Sequence, residues 1–111
     1  MCHVVHSRLP AGGQQDGNTA YGEAALAAMA RLLLARGIAP TLCEAFVVGG
    51  GNMFPALVNE THVGDHNVRW ALAALARTKV RVLLQDTGGT SYRRIGWTVG
   101  PGGPDIVAVP I

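Results

Sequence analysis

An apolar run that breaks into three glycines constrains this chain more than any other feature: Ala45-Phe46-Val47-Val48-Gly49-Gly50-Gly51-Asn52-Met53-Phe54. The first four residues suit a buried strand. Consecutive glycines let the backbone that leaves it take positive φ and approach another group closely. An amphipathic helical pattern lies on each side, so the flanking chain must pack around this turn. A phosphate-binding loop is the first function to weigh. No Gly-Lys-Ser/Thr follows the glycines, and Pro55 stands where the helix of a dinucleotide fold would begin. The preferred reading is a tight strand exit that packs closely.

Before the glycines, Val4-Val5 reads as the end of a strand, stopped by Pro10, and residues 11–18 read as a polar loop. A helix is predicted from Thr19 or Tyr21 through Arg36, with Leu26, Met29, Ala30, Leu33 and Leu34 on one face and Gly37 as its stop. Ile38–Glu44 is a connector and Ala45–Val48 a strand. Pro55–His62 reads as irregular. A second helix is predicted over Asp65–Thr78, with Asp65 as N-cap and Val68, Ala71, Leu72, Leu75 and Ala76 facing the core. Strands follow at Val80–Leu84, Arg94–Val99 and Ile106–Val109, the first closed by an Asp86-Thr87-Gly88-Gly89 turn, the last two joined by Gly100–Pro104. The order predicts an α+β or α/β layer architecture in a single domain over 1–111. No partner strand precedes Val4-Val5, so the N-terminus reads as lacking part of a sheet.

Composition excludes several classes. With 49% hydrophobic and 14% charged residues the chain is globular, and its net charge of +2 is spread rather than clustered, unlike a nucleic-acid binder. No apolar run approaches the ~20 residues needed to cross a bilayer. The N-terminus carries no signal-peptide pattern, and two cysteines, Cys2 and Cys43, are too few for a disulfide framework. The expected compartment is the cytoplasm.

Four groups of residues could carry chemistry. His62 and His66 stand four apart, as zinc-binding imidazoles on one helical face would, but no third ligand suggests itself. Solvent-exposed histidines are the preferred reading. Cys2, His3 and His6 cluster at the N-terminus, and Cys–His proximity is how a thiol becomes a nucleophile. In a strand, Cys2 and His6 would share a face while remaining beyond hydrogen-bond reach. Cys43 reads as a buried small hydrophobe. Asp86 reads either as a strand-end catalytic carboxylate or as a residue tying its own turn.

In order, His6-Ser7-Arg8-Leu9-Pro10, a helix starting at Tyr21, Gly49-Gly50-Gly51-Asn52-Met53-Phe54, Val63-Gly64-Asp65-His66-Asn67-Val68 and Gln85-Asp86-Thr87-Gly88-Gly89 resemble the CheD family of chemoreceptor glutamine deamidases. The resemblance covers nearly the whole chain. It implies an α+β fold of mixed β-sheets layered with two helices, on a cysteine amidohydrolase scaffold whose first strands are missing here. It implies a Cys thiolate that attacks a receptor glutamine, a thioester hydrolysed to glutamate, and a His that handles the protons. No cofactor or metal is implied. The implied partners are methyl-accepting chemoreceptors and a CheC-type phosphatase, with no nucleic acid and no membrane insertion. His6 fits the family's histidine, because Leu9 and Pro10 follow it at the family's spacing; His3 is the second choice. The family's nucleophile sits in a Leu-Gly-Ser-Cys strand ahead of that histidine, and Cys2 is not at its position. Three readings therefore stand: a deamidase whose true start lies upstream of Met1, an inactive remnant that binds receptors or a CheC-type partner, and an unrelated cytosolic function on the same scaffold.

Overall fold

Two short sheets and two helices make up the computed structural model, which describes residues 1–7, 18–52 and 63–109. Helix α1 spans Gly22–Ala35, and after a 3-10 turn at Pro40–Leu42 comes strand β1, Glu44–Gly49. Helix α2 (Val63–Arg77) and strand β2 (Arg81–Thr87) follow, then β3 (Tyr92–Gly96) and β4 (Asp105–Val109). Strands β1 and β2 pair in parallel and α2 provides their crossover, packing on both. A parallel pair needs such a connection, because a tight turn can join only antiparallel strands. Strands β3 and β4 form the expected antiparallel hairpin. The α+β class and the mixed sheets layered with two helices are as the sequence predicts.

Both helices end in the same way. Beyond α1, Gly37 donates to Leu34 O at 3.0 Å and Ile38 to Leu33 O at 2.9 Å, with Gly37 at φ 71°. Beyond α2, Lys79 donates to Ala76 O at 3.1 Å and Val80 to Leu75 O at 3.0 Å, with Lys79 at φ 58°. Each is a Schellman closure, in which a left-handed residue returns two amides to the orphan carbonyls of the last turn. Gly37 adopts that conformation without steric cost; Lys79 does not.

Beyond one-residue shifts, boundaries differ from the sequence reading in four places. Val4-Val5 is not a strand end, since only an isolated parallel bridge, His6 to Tyr21, forms there. Helix α2 begins at Val63 rather than after Asp65, so Asp65 lies within the first turn instead of capping it. Strand β2 runs on through Asp86 and Thr87, which pair with Val48 and Gly49, so the turn proper starts at Gly88. Strand β3 starts two residues early and stops at Gly96, because Trp97 leaves the ladder to stack edge-on against Phe46, centroids 5.5 Å apart. Leu9, Pro10, the 11–17 part of the polar loop, Met53, Phe54 and the 55–62 stretch lie outside the described residues.

Full burial is rare among the described hydrophobic residues: Ala25 and Ala74, at 2% and 3% exposure, are the core in the strict sense. Two-stranded sheets offer faces too narrow to cover a whole helix. Leu34, assigned to the buried face of α1, is 64% exposed. Leu26, Met29 and Leu33 instead line one wall of an apolar groove of about 660 Å³, with Phe46, Leu75 and Trp97 among the residues opposite.

What relates the two sheets is Arg93. Its side chain, 10% exposed, donates from Nε to Asp86 Oδ1 at 3.2 Å and from Nη2 to Gly88 O at 2.9 Å. Nη1 reaches Gly49 O and Ser91 O, each at 3.5 Å. A residue of β3 thus holds the ends of β1 and β2 together. Asp86 serves here as the charge partner of Arg93, which in turn holds the turn carbonyl. By contrast, the Arg81–Glu44 pair at the other end of the parallel ladder is largely exposed, and pairs of that kind contribute little.

Arg93→Ala is expected to cost about 3 kcal/mol, since charge-assisted hydrogen bonds are worth ~1.5–3 kcal/mol each and act together here. Arg93→Lys should recover only a minor part, because an ammonium cannot span the fork. Urea unfolding midpoints measure both. Lys79→Gly is expected to stabilise by about 1 kcal/mol by relieving the left-handed backbone, read in the same titrations.

Candidate functional site

The N-terminus of α1 has no side-chain cap at Tyr21, so its first amides must find other acceptors. They find the backbone of the segment that carries the histidine. Gly22 N–H donates to His6 O at 2.8 Å and Glu23 N–H to Ser7 O at 3.2 Å. In return, Ala20 O accepts from Val5 N–H at 2.7 Å and from His6 N–H at 3.2 Å. Asn18 shapes that turn: its Oδ1 accepts from Ala20 N–H at 3.0 Å, and its carbonyl from Tyr21 N–H at 3.1 Å. The helix thus needs the carbonyls of His6 and Ser7, and that need fixes where His6 sits.

The imidazole of His6 is exposed and stacks on the Tyr21 ring, centroids 6.3 Å apart and planes 23° apart. A second attachment comes from α2. Asn67 Nδ2 donates to Val5 O at 2.8 Å, tying the residue before His6 to a helix more than sixty positions along the chain. Nearby, Gly50 lies against Val68 and the Gly64 carbonyl of α2. The glycine turn therefore packs on the same end of α2 that holds the His6 segment. Gly88 N–H donates to Gly49 O at 2.9 Å and Asn52 N–H to Gly89 O at 2.8 Å, so the two glycine turns brace each other. Gly49, Gly50, Gly88 and Gly89 all take positive φ, the conformation for which the sequence singles out glycine.

The remaining sequence candidates fall elsewhere. His3 is exposed on the stretch leading to His6. Cys2 and Cys43, both half-buried and free, line the apolar groove, whose lining does not include His6. Cys43 is thus less enclosed than the sequence suggests. His66 is exposed on α2, while His62, its suggested zinc partner, lies outside the described residues. Among the described residues no three His, Cys, Asp or Glu side chains gather as metal ligands would. No described helix is long and apolar enough to cross a membrane.

Two contributors escape the sequence reading. Arg93 carries no periodic signal: its nearer acceptors, Asp86, Gly88 and Ser91, come within its reach only once the turn before β3 has formed, and Gly49 lies 44 positions away. Asn67 does carry one. Gly64, Asn67, Ala71 and Ala74 follow at helical spacing on the packed side of α2, and an amide in that stripe marks a polar task. An exposed imidazole on a fixed backbone suits general acid–base chemistry.

Comparisons with known proteins converge on the same stretch. A family profile described as CheD chemotactic sensory transduction matches residues 6–103. A Pseudomonas syringae pv. syringae protein named "Probable chemoreceptor glutamine deamidase CheD" is 34% identical over 99 residues, 86% of this chain and 55% of that protein. A Geobacter sulfurreducens relative, "Probable chemoreceptor glutamine deamidase CheD 2", is 30% identical over 92 residues, 83% of this chain and 57% of its own. A Thermococcus kodakarensis relative with the first name is 30% identical over 103 residues, 89% of this chain and 64% of its own. The chain spans a little over half the length of the Pseudomonas and Geobacter relatives.

Gly50→Ala tests the packing beneath the site. A Cβ at φ 69° would strike Val68 Cγ2 and stand 3.0 Å from Gly64 O, so the expected loss exceeds about 2 kcal/mol. Gly88→Ala, at φ 79° with nothing within 4 Å, should cost only the conformational ~1–2 kcal/mol. Thermal unfolding of the two variants makes the comparison.

Proposed function

The chain belongs to the CheD family, and on that premise we propose that it works as a chemoreceptor glutamine deamidase, converting receptor glutamine side chains to glutamate and ammonia. The observation that carries the reading is that the family match begins at His6, whose imidazole is exposed while its backbone is bonded on both sides. In this reading a cysteine thiolate adds to the carboxamide carbon. His6, protonated, gives its proton to the nitrogen as the C–N bond breaks, and ammonia leaves a thioester. His6, now neutral, takes a proton from water as it attacks the thioester carbon. The C–S bond breaks, the thiolate returns, and the glutamic acid side chain gives its remaining proton to the released ammonia as the carboxylate departs. Every atom is accounted for by thiolate, imidazole and water, so the scheme calls for no cofactor. His3 is the alternative imidazole.

The position of Cys2 in the apolar groove, among residues that do not include His6, supports assigning the thiolate to another cysteine. A Leu-Gly-Ser-Cys strand of the family's kind, placed ahead of His6, is the source this reading names, and residues 1–111 alone are then inactive. The substrates are methyl-accepting chemoreceptors, the second partner is a CheC-type phosphatase, and the work is done in the cytoplasm.

Ammonia release from a receptor cytoplasmic fragment tests this, with mass spectrometry locating the converted glutamines. Residues 1–111 preceded by such a strand should deamidate the fragment, and His6→Ala should abolish the reaction. Residues 1–111 alone should release none. Release by residues 1–111 that disappears in Cys2→Ala would return the thiolate to Cys2. No release from the extended protein would sink the deamidase reading.

A further inference from the structure

We propose that Asn67 is the positioning residue for the His6 imidazole. The inference rests on the reading of His6 as the proton-transferring group, and it concerns one peptide unit. Val5 O and His6 N–H belong to the same planar amide. Asn67 Nδ2 holds its oxygen at 2.8 Å while Ala20 O holds its N–H at 3.2 Å, so two helical neighbourhoods grip the plane from opposite ends. The following amide plane is held through His6 O, which accepts from Gly22 N–H at 2.8 Å. With both flanking planes held, φ and ψ of His6 are set, and so is the direction in which the imidazole leaves the backbone to meet Tyr21.

The state of the Asn67 amide shows that its donor is what the position uses. A backbone carbonyl only accepts, so Nδ2 must face Val5 O and Oδ1 must point the other way. Oδ1 is buried there with no hydrogen-bond partner. Leaving a buried acceptor unmade is costly, and an apolar side chain on the packed side of α2 would avoid that cost. An amide in this place is explained by the hold it keeps on the residue before His6.

The test reads the ring itself. In histidine-resolved NMR of residues 1–111, the His6 ring protons should show the displacement expected of a ring stacked on Tyr21. Asn67→Ala should move them toward the values of the exposed His3 and raise hydrogen exchange at the His6 amide about tenfold, the equivalent of one lost hydrogen bond. Exchange in β1 and β2 should stay unchanged. Asn67→Asp, nearly isosteric but without the donor at neutral pH, should reproduce Asn67→Ala, which separates the lost bond from lost packing. In the extended protein assayed for ammonia release, both variants should lower kcat by about 10- to 100-fold with KM changed less than about twofold. His6 ring signals that stay native in either folded variant would overturn the proposal. If the extended parent protein releases no ammonia, the deamidase reading fails, and the ring signals still decide whether Asn67 orients His6.

Discussion

The arrangement of this molecule depends on one guanidinium. The two sheets share no strand, so their relation is left to side chains. Among the described residues, Arg93 reaches the most elements: the end of β1 at Gly49, the end of β2 at Asp86, the turn at Gly88 and its own approach at Ser91. Planar geometry explains the residue type. Five donors in a fixed planar fork can serve a carboxylate and several carbonyls at once, whereas the three donors of a lysine sit on a single nitrogen and cannot span them. Asp86 offsets the charge, so a cation at 10% exposure is paired rather than stranded. Phe46 and Trp97 add an edge-to-face contact between the same two layers.

Fixing that corner has a consequence for the site. Arg93 holds the carbonyl of Gly49, Gly50 follows directly and packs on α2, and Asn67 of α2 holds the segment that ends in His6. The route from the sheet junction to the His6 segment starts with the 3.5 Å contact of Arg93 with Gly49 O and ends with the 2.8 Å bond from Asn67 to Val5 O. The glycines act here through backbone conformation and close packing. They allow the β1 exit to come close enough to Gly64 and Val68 for α2 to stand where Asn67 can reach Val5 O. The other support is the start of α1, which lacks a side-chain cap and uses the His6 and Ser7 carbonyls instead. The same bonds supply acceptors to the start of α1 and fix the backbone of His6.

Much of this was legible in advance, and the misses share a cause. Helix α1 was read to within two or three residues because its stop, Gly37, is a local event in which one residue adopts the left-handed conformation. The matching stop of α2 was placed at Thr78 without its mechanism, since Lys79 gives no hint that it will take the same conformation. Strand ends were harder. Asp86 and Thr87 look like turn residues by composition, yet they pair with Val48 and Gly49, because pairing depends on where β1 lies. Trp97 falls within the strand predicted over Arg94–Val99, and leaves it for Phe46.

His6 entered as an expectation implied by the CheD resemblance; by itself the sequence determined the helices, the need for a tight glycine exit, the hairpin and the α+β class. These rest on periodicity and on backbone preferences that act over a few residues. Only the tertiary structure decided that Asp86 serves Arg93, that Cys2 lies in the apolar groove, and that Asn67 grips the peptide before His6. The physical reason is that no periodicity predicts such contacts, whether the partners are 62 positions apart like Asn67 and Val5 or seven apart across a turn like Asp86 and Arg93. The opening glycine stretch spans both sides of that division. Its conformation could be read from composition, but its partner, the first turns of α2, could not.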